Sequence, residues 1–131
     1  MPMVIRLEEK YRFVAEFREH RVIIDQPVKG GGTNLGMSPV ELFIASLGGC
    51  VAYYAAHYME RNHIPAQGLR VEADWDFEKN PYRVSKIKTI IHLPPGFPDE
   101  KHAQLLAVCK GCTIHHTLPH EPVLEYEIRQ G

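Results

Sequence analysis

Ser38-Pro39-Val40-Glu41-Leu42-Phe43-Ile44-Ala45-Ser46-Leu47-Gly48-Gly49-Cys50 opens with the signals of a helix N-terminus. Ser38 offers an N-cap hydroxyl, Pro39 takes the first helical position, where a missing N–H costs nothing, and Glu41 can reach back to close a capping box. Phe43, Leu47, Cys50, Tyr54 and Tyr58 then recur at helical spacing, with Ala45, Ala52, Ala55 and Ala56 among them. The pattern predicts a long, buried helix from Pro39 to about Arg61. A glycine inside a helix costs roughly 1 kcal/mol against alanine, so Gly48-Gly49 predict a neighbour packed close to the helix.

Outward from this helix the period changes. Tyr11, Phe13, Ala15 and Phe17 alternate as in a half-buried strand, and Arg21 to Asp25 reads as its hairpin partner. Pro27 to Gly36 is glycine-rich and aperiodic, which predicts a flexible loop. A phosphate cradle would need Lys and then Ser or Thr after the last glycine, whereas Gly36 is followed by Met37-Ser38-Pro39. On the C-terminal side, Val71, Ala73, Trp75 and Phe77 alternate with charged residues, Lys79-Asn80-Pro81 turns the chain, and Tyr82 to Leu93 returns. Asp99 is predicted to cap a second helix carrying Ala103, Leu106, Ala107 and Lys110, with Gly111 at its C′ position. Cys112 to Leu118 is predicted as a short helix with Cys112 in its first turn, and Pro122 to Gln130 as a final strand. Strands and helices come in blocks, so the fold class is α+β with antiparallel sheet, in one domain spanning 1–131.

Composition narrows the function classes. The net charge is -1 and the basic residues are scattered, leaving no electrostatic footprint for nucleic acid or an anionic membrane. Met1-Pro2-Met3-Val4-Ile5-Arg6 lacks a signal peptide's apolar stretch, and no uninterrupted apolar run approaches the ~20 residues of a membrane helix. The expectation is a cytoplasmic protein with neither nucleic acid nor membrane as partner. In a reducing compartment its three cysteines read as thiols, any disulfide among them being transient and functional.

Chemistry converges on sulfur. Cys50 lies mid-helix on the apolar face, where a small buried hydrophobe is the alternative reading. Cys112 stands at a helix N-terminus, where the dipole and unpaired N–H groups are expected to favour thiolate. Cys109-Lys110-Gly111-Cys112 has the spacing of a redox motif, but that motif opens a helix and here it closes one. Adding His115 and His116 gives three usable zinc ligands without a clear fourth, so no metal is expected. His57 lies seven residues beyond Cys50, about 10.5 Å along the helix, too far to be its base within one chain. No Ser-His-Asp ordering or isolated carboxylate pair supports a hydrolase. No organic cofactor is needed.

The segment Gly36 to Cys50, with Gly111-Cys112-Thr113-Ile114-His115-His116-Thr117-Leu118 some 60 residues on, resembles the OsmC/Ohr family, and the resemblance covers nearly the whole chain in family order. It implies an intertwined homodimer, with two long central helices packed between antiparallel sheets and two sites at the subunit interface. It implies a thiol-dependent peroxidase that reduces hydroperoxides, Cys50 attacking and Cys112 resolving, with an external thiol or dithiol as reductant. Cys109 matches no family motif. The organic hydroperoxide branch adds an Arg from the first hairpin, for which Arg18 is the best match and Arg21 the alternative, and a Glu ten residues before the cysteine. That position is Val40 here; Glu41, nine before, matches the broader OsmC-like subgroup. Nine helical residues put Glu41 about 13.5 Å from Cys50 on the opposite face, so the two could share a site only across a dimer interface. A non-catalytic redox sensor or apolar-ligand binder on the same fold is the rival.

Overall fold

In a computed structural model describing residues 1–131, the order is β1 (Val4–Glu9), β2 (Arg12–Phe17), β3 (His20–Ile24), α1 (Pro39–Arg61), β4 (Arg70–Glu78), β5 (Arg83–His92), α2 (His102–Cys109) and α3 (Thr113–Thr117). The chain divides into two units, 1–45 and 46–131, with the boundary inside α1.

The first unit is an antiparallel meander in the order β1-β2-β3. β1 was not foreseen: Val4-Ile5-Arg6-Leu7 lacks clean alternation, and all its residues are exposed. The expected face of β2 is only half-buried, while Val14 on the other face is the most buried residue of the strand, flanked in register by Arg6 and Ile23. Arg18 and Glu19 form the β2–β3 turn with φ of 49° and 66°, the left-handed conformation that tight hairpins need and glycine or asparagine usually supplies. The glycine-rich loop follows, with a single 3-10 turn at Val28–Gly30. The start of α1 is as expected: Glu41 N donates to Ser38 Oγ at 3.3 Å, and Ser38 N donates to Glu41 Oε1 at 2.7 Å.

The second unit packs the rest of α1 with the β4–β5 hairpin, α2 and α3. Its core takes Leu47, Val51, Ala55, Tyr58 and Met59 from α1, together with Phe97, Leu105, Cys109 and Cys112. The buried stripe is therefore rotated from the predicted one; Cys50 and Tyr54 are only half-buried and Tyr53 is 61% exposed. The glycine pair also differs from expectation. A Cβ at Gly48 would make ordinary contact with Val71 at 3.9 Å, and one at Gly49 would meet nothing. By length and average composition alone α1 is long and apolar enough to cross a membrane, although Glu41, Ser46 and His57 interrupt its apolar run; alanines and residues such as Ile44, Leu47 and Val51 carry the average. α1 ends in a Schellman motif, with Ile64 N to Met59 O at 2.8 Å and His63 N to Glu60 O at 3.2 Å, and His63 in the left-handed conformation at φ 57°.

β4 and β5 pair with Trp75 opposite Ile87 and Val71 opposite Ile91, as the alternation predicts. Asp99 does not cap α2: it begins a 3-10 turn, Asp99–Lys101, and α2 starts after Lys101 without a side-chain cap. Gly111 does follow the C-cap Lys110. The tail 121–131 forms no strand, and all of it is exposed. Its alternation is real, but no strand of this chain pairs with it.

Candidate redox site

Two hydroxyl straps set the site. Tyr58 Oη donates to Gln104 Oε1 at 2.6 Å, tying α1 to α2, and Tyr54 Oη lies 3.4 Å from Thr113 Oγ1, tying α1 to the start of α3. Tyr54 is one helical turn beyond Cys50, and Thr113 directly follows Cys112, so this second strap brings the two cysteines together. The Cys50 thiol lies beside Cys112, near enough to push the Cys112 pKa up. Cys112 is fully buried and is the N-cap of α3, its sulfur accepting from His115 N at 3.2 Å.

The helix end does not make Cys112 a ready thiolate. Burial pushes its pKa up; the His115 amide works against this, the adjacent Cys50 thiol adds to the rise, and the Ile114 amide only partly offsets it. α3 has five residues, too few for a strong dipole to oppose full desolvation. Cys112 is therefore a protonated thiol at neutral pH.

Cys109, set aside in the sequence as matching no motif, belongs to the same cluster. It is 2% exposed, its thiol points to Val51 O at 3.8 Å, and its pKa is raised by burial and then by Cys112. The signal for it was in the sequence: Cys109 follows Leu105 on the buried face of α2 and precedes Cys112 by three residues. The zinc arrangement does not assemble: no three His, Cys, Asp or Glu side chains are placed so as to hold a metal ion.

Arg18 and Glu41 belong to the first unit, which contains no cysteine. The Arg18 guanidinium lies over the Phe17 ring, 5.8 Å from its centre, and the Glu41 carboxylate is engaged by Ser38 N. Arg21 pairs with Glu8 and Glu16 at 3.6 and 3.8 Å.

One buried group escaped sequence reasoning altogether. Asp25, fully buried at the end of β3, accepts from Thr33 Oγ1 at 2.6 Å, Gln26 N at 2.7 Å, Leu35 N at 3.1 Å and Thr33 N at 3.4 Å. Arg12 extends the network through Thr33 Oγ1 at 3.1 Å. The glycine-rich loop thus does cradle an anion, but one from its own chain. A Cβ at Gly32 would lie 2.7 Å from Asp25 Oδ1 and 2.2 Å from Gln26 O, so the glycine is required for the close approach.

The family model for OsmC-like protein matches residues 30–127. Among solved structures, an osmotic stress induced and detoxification response protein from Psychrobacter arcticus 273-4 superposes with TM-score 0.82 at 19% identity, over 88% of this chain and 86% of that one. An OsmC like protein from Mycoplasma pneumoniae gives 0.77 at 17%, over 92% and 87%. An organic hydroperoxide resistance protein OsmC from Legionella pneumophila gives 0.66 at 14%, over 90% and 89%. At these identities the likeness is one of fold, and it meets the expectation of an α+β chain with antiparallel sheets. No curated protein matches the chain.

Proposed function

The chain belongs to the OsmC-like protein family, and from that premise we propose that it is a cysteine-based peroxidase reducing hydroperoxides, organic ones among them, through a Cys50/Cys112 redox pair. The observation that carries this is the meeting of two cysteines 62 residues apart in sequence, Cys50 packed against the apolar core that holds Cys112 and the Tyr54–Thr113 contact at 3.4 Å joining their elements. The Cys50 thiolate attacks the outer peroxide oxygen; the O–O bond breaks, the alkoxide leaves as alcohol on taking a proton, and Cys50 becomes a sulfenic acid. Cys112 then attacks that sulfur, the S–S bond forms, and the hydroxyl leaves as water with the Cys112 proton. An external thiol or dithiol reduces the disulfide, which fits a cytoplasmic setting. Raised in pKa and buried, Cys112 suits the resolving role rather than the attacking one.

The same proposal makes the active form an intertwined homodimer. α1 leaves Tyr53 exposed and Gly49 facing open space within the chain, a face that a second copy's long helix would cover. Arg18 and Glu41 would reach Cys50 from that second copy, Arg18 as the cation favouring thiolate. A solution mass near the single-chain 15.0 kDa by small-angle scattering would remove this part of the proposal.

The Legionella neighbour's description as a hydroperoxide resistance protein supports the substrate class. Val40 in place of the branch's Glu favours the second reading, a sensor or apolar-ligand binder. The test is consumption of cumene hydroperoxide by substoichiometric protein with dithiothreitol present: many turnovers are expected, whereas a sensor oxidises once and stops. Cys112→Ser should consume one equivalent and hold a dimedone-reactive sulfenic acid at Cys50. Cys50→Ser should consume none. Arg18→Ala should slow the reaction while leaving the fold intact.

A further inference from the structure

We propose that Cys109 is a second resolving thiol, which takes Cys112 over from Cys50 so that the oxidised protein comes to rest as a Cys109–Cys112 disulfide across the turn joining α2 to α3. The source of the first disulfide rests on the peroxidase reading above; the transfer itself does not.

The geometry comes from the backbone. Cys112 N donates to Cys109 O at 3.3 Å, closing a four-residue turn through Lys110 and Gly111. Such a turn holds its end Cα atoms within about 7 Å, and a disulfide spans roughly 4.4–6.8 Å. Both sulfurs adjoin neighbouring residues of α1: the Cys50 thiol lies beside Cys112 and pushes its pKa up, and the Cys109 thiol points to Val51 O at 3.8 Å. All three cysteines are free. The motif closes α2 instead of opening it, so it lacks the helix-dipole activation of a thioredoxin-type pair. Disulfide formation across it needs only proximity.

The transfer conserves electrons and atoms. Cys109 sulfur attacks Cys112 sulfur within the Cys50–Cys112 disulfide; the Cys109–Cys112 bond forms, the Cys50–Cys112 bond breaks, and Cys50 leaves as thiolate, taking up the proton that Cys109 gives up. Within the reduced protein Cys109 is held protonated by burial and by the neighbouring Cys112. Once Cys112 is locked in a disulfide it carries no charge, so the second of those contributions vanishes when Cys109 must act.

The transfer returns the half-buried Cys50 to the thiol state and leaves the disulfide to be reduced from the cleft that Cys109 lines. Cys112 is fully buried, but Cys109 lines a cleft of about 230 Å³ with apolar walls from Val51, Ile87 and Leu106, and with Lys110 and His115 beside it. An external dithiol entering the cleft would attack Cys109, release Cys112, and complete the reduction with its second thiol. Cys50 is meanwhile free for the next peroxide.

Trypsin separates the three cysteines, because Lys110 lies between Cys109 and Cys112: Cys50 falls in 30–61, Cys109 in 102–110 and Cys112 in 111–129. The full chain is treated with equimolar cumene hydroperoxide, quenched at intervals, alkylated and mapped by mass spectrometry. The link from 30–61 to 111–129 should appear first and be replaced by a link from 102–110 to 111–129, with Cys50 alkylated. In Cys109→Ser the first link should persist. A wild-type map that keeps the first link with Cys109 alkylated overturns the proposal, and needs no variant to fold. A parallel arm oxidised with diamide separates the two ideas. If hydroperoxide leaves every thiol alkylated while diamide gives the link from 102–110 to 111–129, the Cys109 disulfide stands and the peroxidase reading falls. If neither diamide nor hydroperoxide gives such a link, the Cys109 proposal is overturned.

Discussion

Asp25 in the first unit and Cys112 in the second are equally buried, each with no solvent exposure, yet burial ends in opposite protonation states. The Thr33 hydroxyl and the amides of Leu35, Gln26 and Thr33 hold the Asp25 carboxyl far below the usual carboxylate range, outweighing its desolvation. Cys112 has two amides on its sulfur and a thiol beside it that pushes the wrong way, so desolvation wins and its pKa rises. Burial sets the penalty, and the supply of donors decides the sign. A glycine-rich loop can wrap its N–H groups around a charge; the end of a five-residue helix cannot. The first group thereby becomes a structural clamp, and the second a thiol kept neutral until a partner sulfur needs it.

The largest effect expected from this contrast is on stability. Asp25→Ala removes from a fully buried position the acceptor shared by the amides of Gln26, Thr33 and Leu35 and the Thr33 hydroxyl, and each part-buried donor left unpaired costs free energy. Cys112→Ala removes one sulfur from a core and should cost about 1–2 kcal/mol. Urea midpoints at neutral pH compare the two directly. An Asp25→Ala protein as stable as Cys112→Ala would show that the loop donors find water instead, and the contrast would collapse.

The two groups should also shape opposite edges of the pH–stability profile. Asp25 is depressed in the folded state, so its contribution is present above the ordinary value of 3.8 and is lost as pH falls below it toward the folded value. Cys112 and Cys109 are raised, so theirs is present below the ordinary 9.0 and is lost as pH climbs through their folded values. Urea midpoints should therefore fall on both sides. Asp25→Asn should flatten the acid limb from about pH 5 to about pH 3, and a Cys109→Ser, Cys112→Ser double variant should flatten the alkaline limb. An acid limb unchanged by Asp25→Asn would assign it to other carboxylates.

What the sequence disclosed follows the range of each interaction. The limits of α1 were legible because a capping box is local chemistry written in Ser38, Pro39 and Glu41. The two hairpins were legible because alternation is local too. β1 was missed because its strand character comes from pairing with β2, and the tail was overread because alternation does not supply a partner. Within the site, Cys50 and Cys112 were linked by resemblance and not by spacing; their meeting depends on the Tyr54–Thr113 and Tyr58–Gln104 straps. The Cys112 pKa was given the wrong direction because a helix end can be read from sequence and burial cannot. Asp25 was invisible because most of its partners are backbone amides up to ten residues away.

The smallest expected effect sharpens the contrast most, because it holds the hydrogen-bond chemistry fixed and removes the burial. Ser38 and Glu41 exchange two hydrogen bonds at the start of α1, at 3.3 and 2.7 Å, and both bonds are exposed. When Ser38→Ala deletes the hydroxyl, water can take the freed Glu41 amide, so the loss should be about 1 kcal/mol. Glu41→Gln keeps an acceptor for Ser38 N and loses only the charge favoured at a helix N-terminus, a smaller change of roughly 0.3–1 kcal/mol. The order Asp25→Ala, then Ser38→Ala, then Glu41→Gln in urea midpoint at neutral pH is the expected result. The gap between the first two measures what burial adds to losing a side-chain oxygen acceptor. Near-equal losses for Asp25→Ala and Ser38→Ala would mean that the loop around Asp25 opens to solvent, and the Asp25 carboxylate would then be no more of a clamp than the exposed cap.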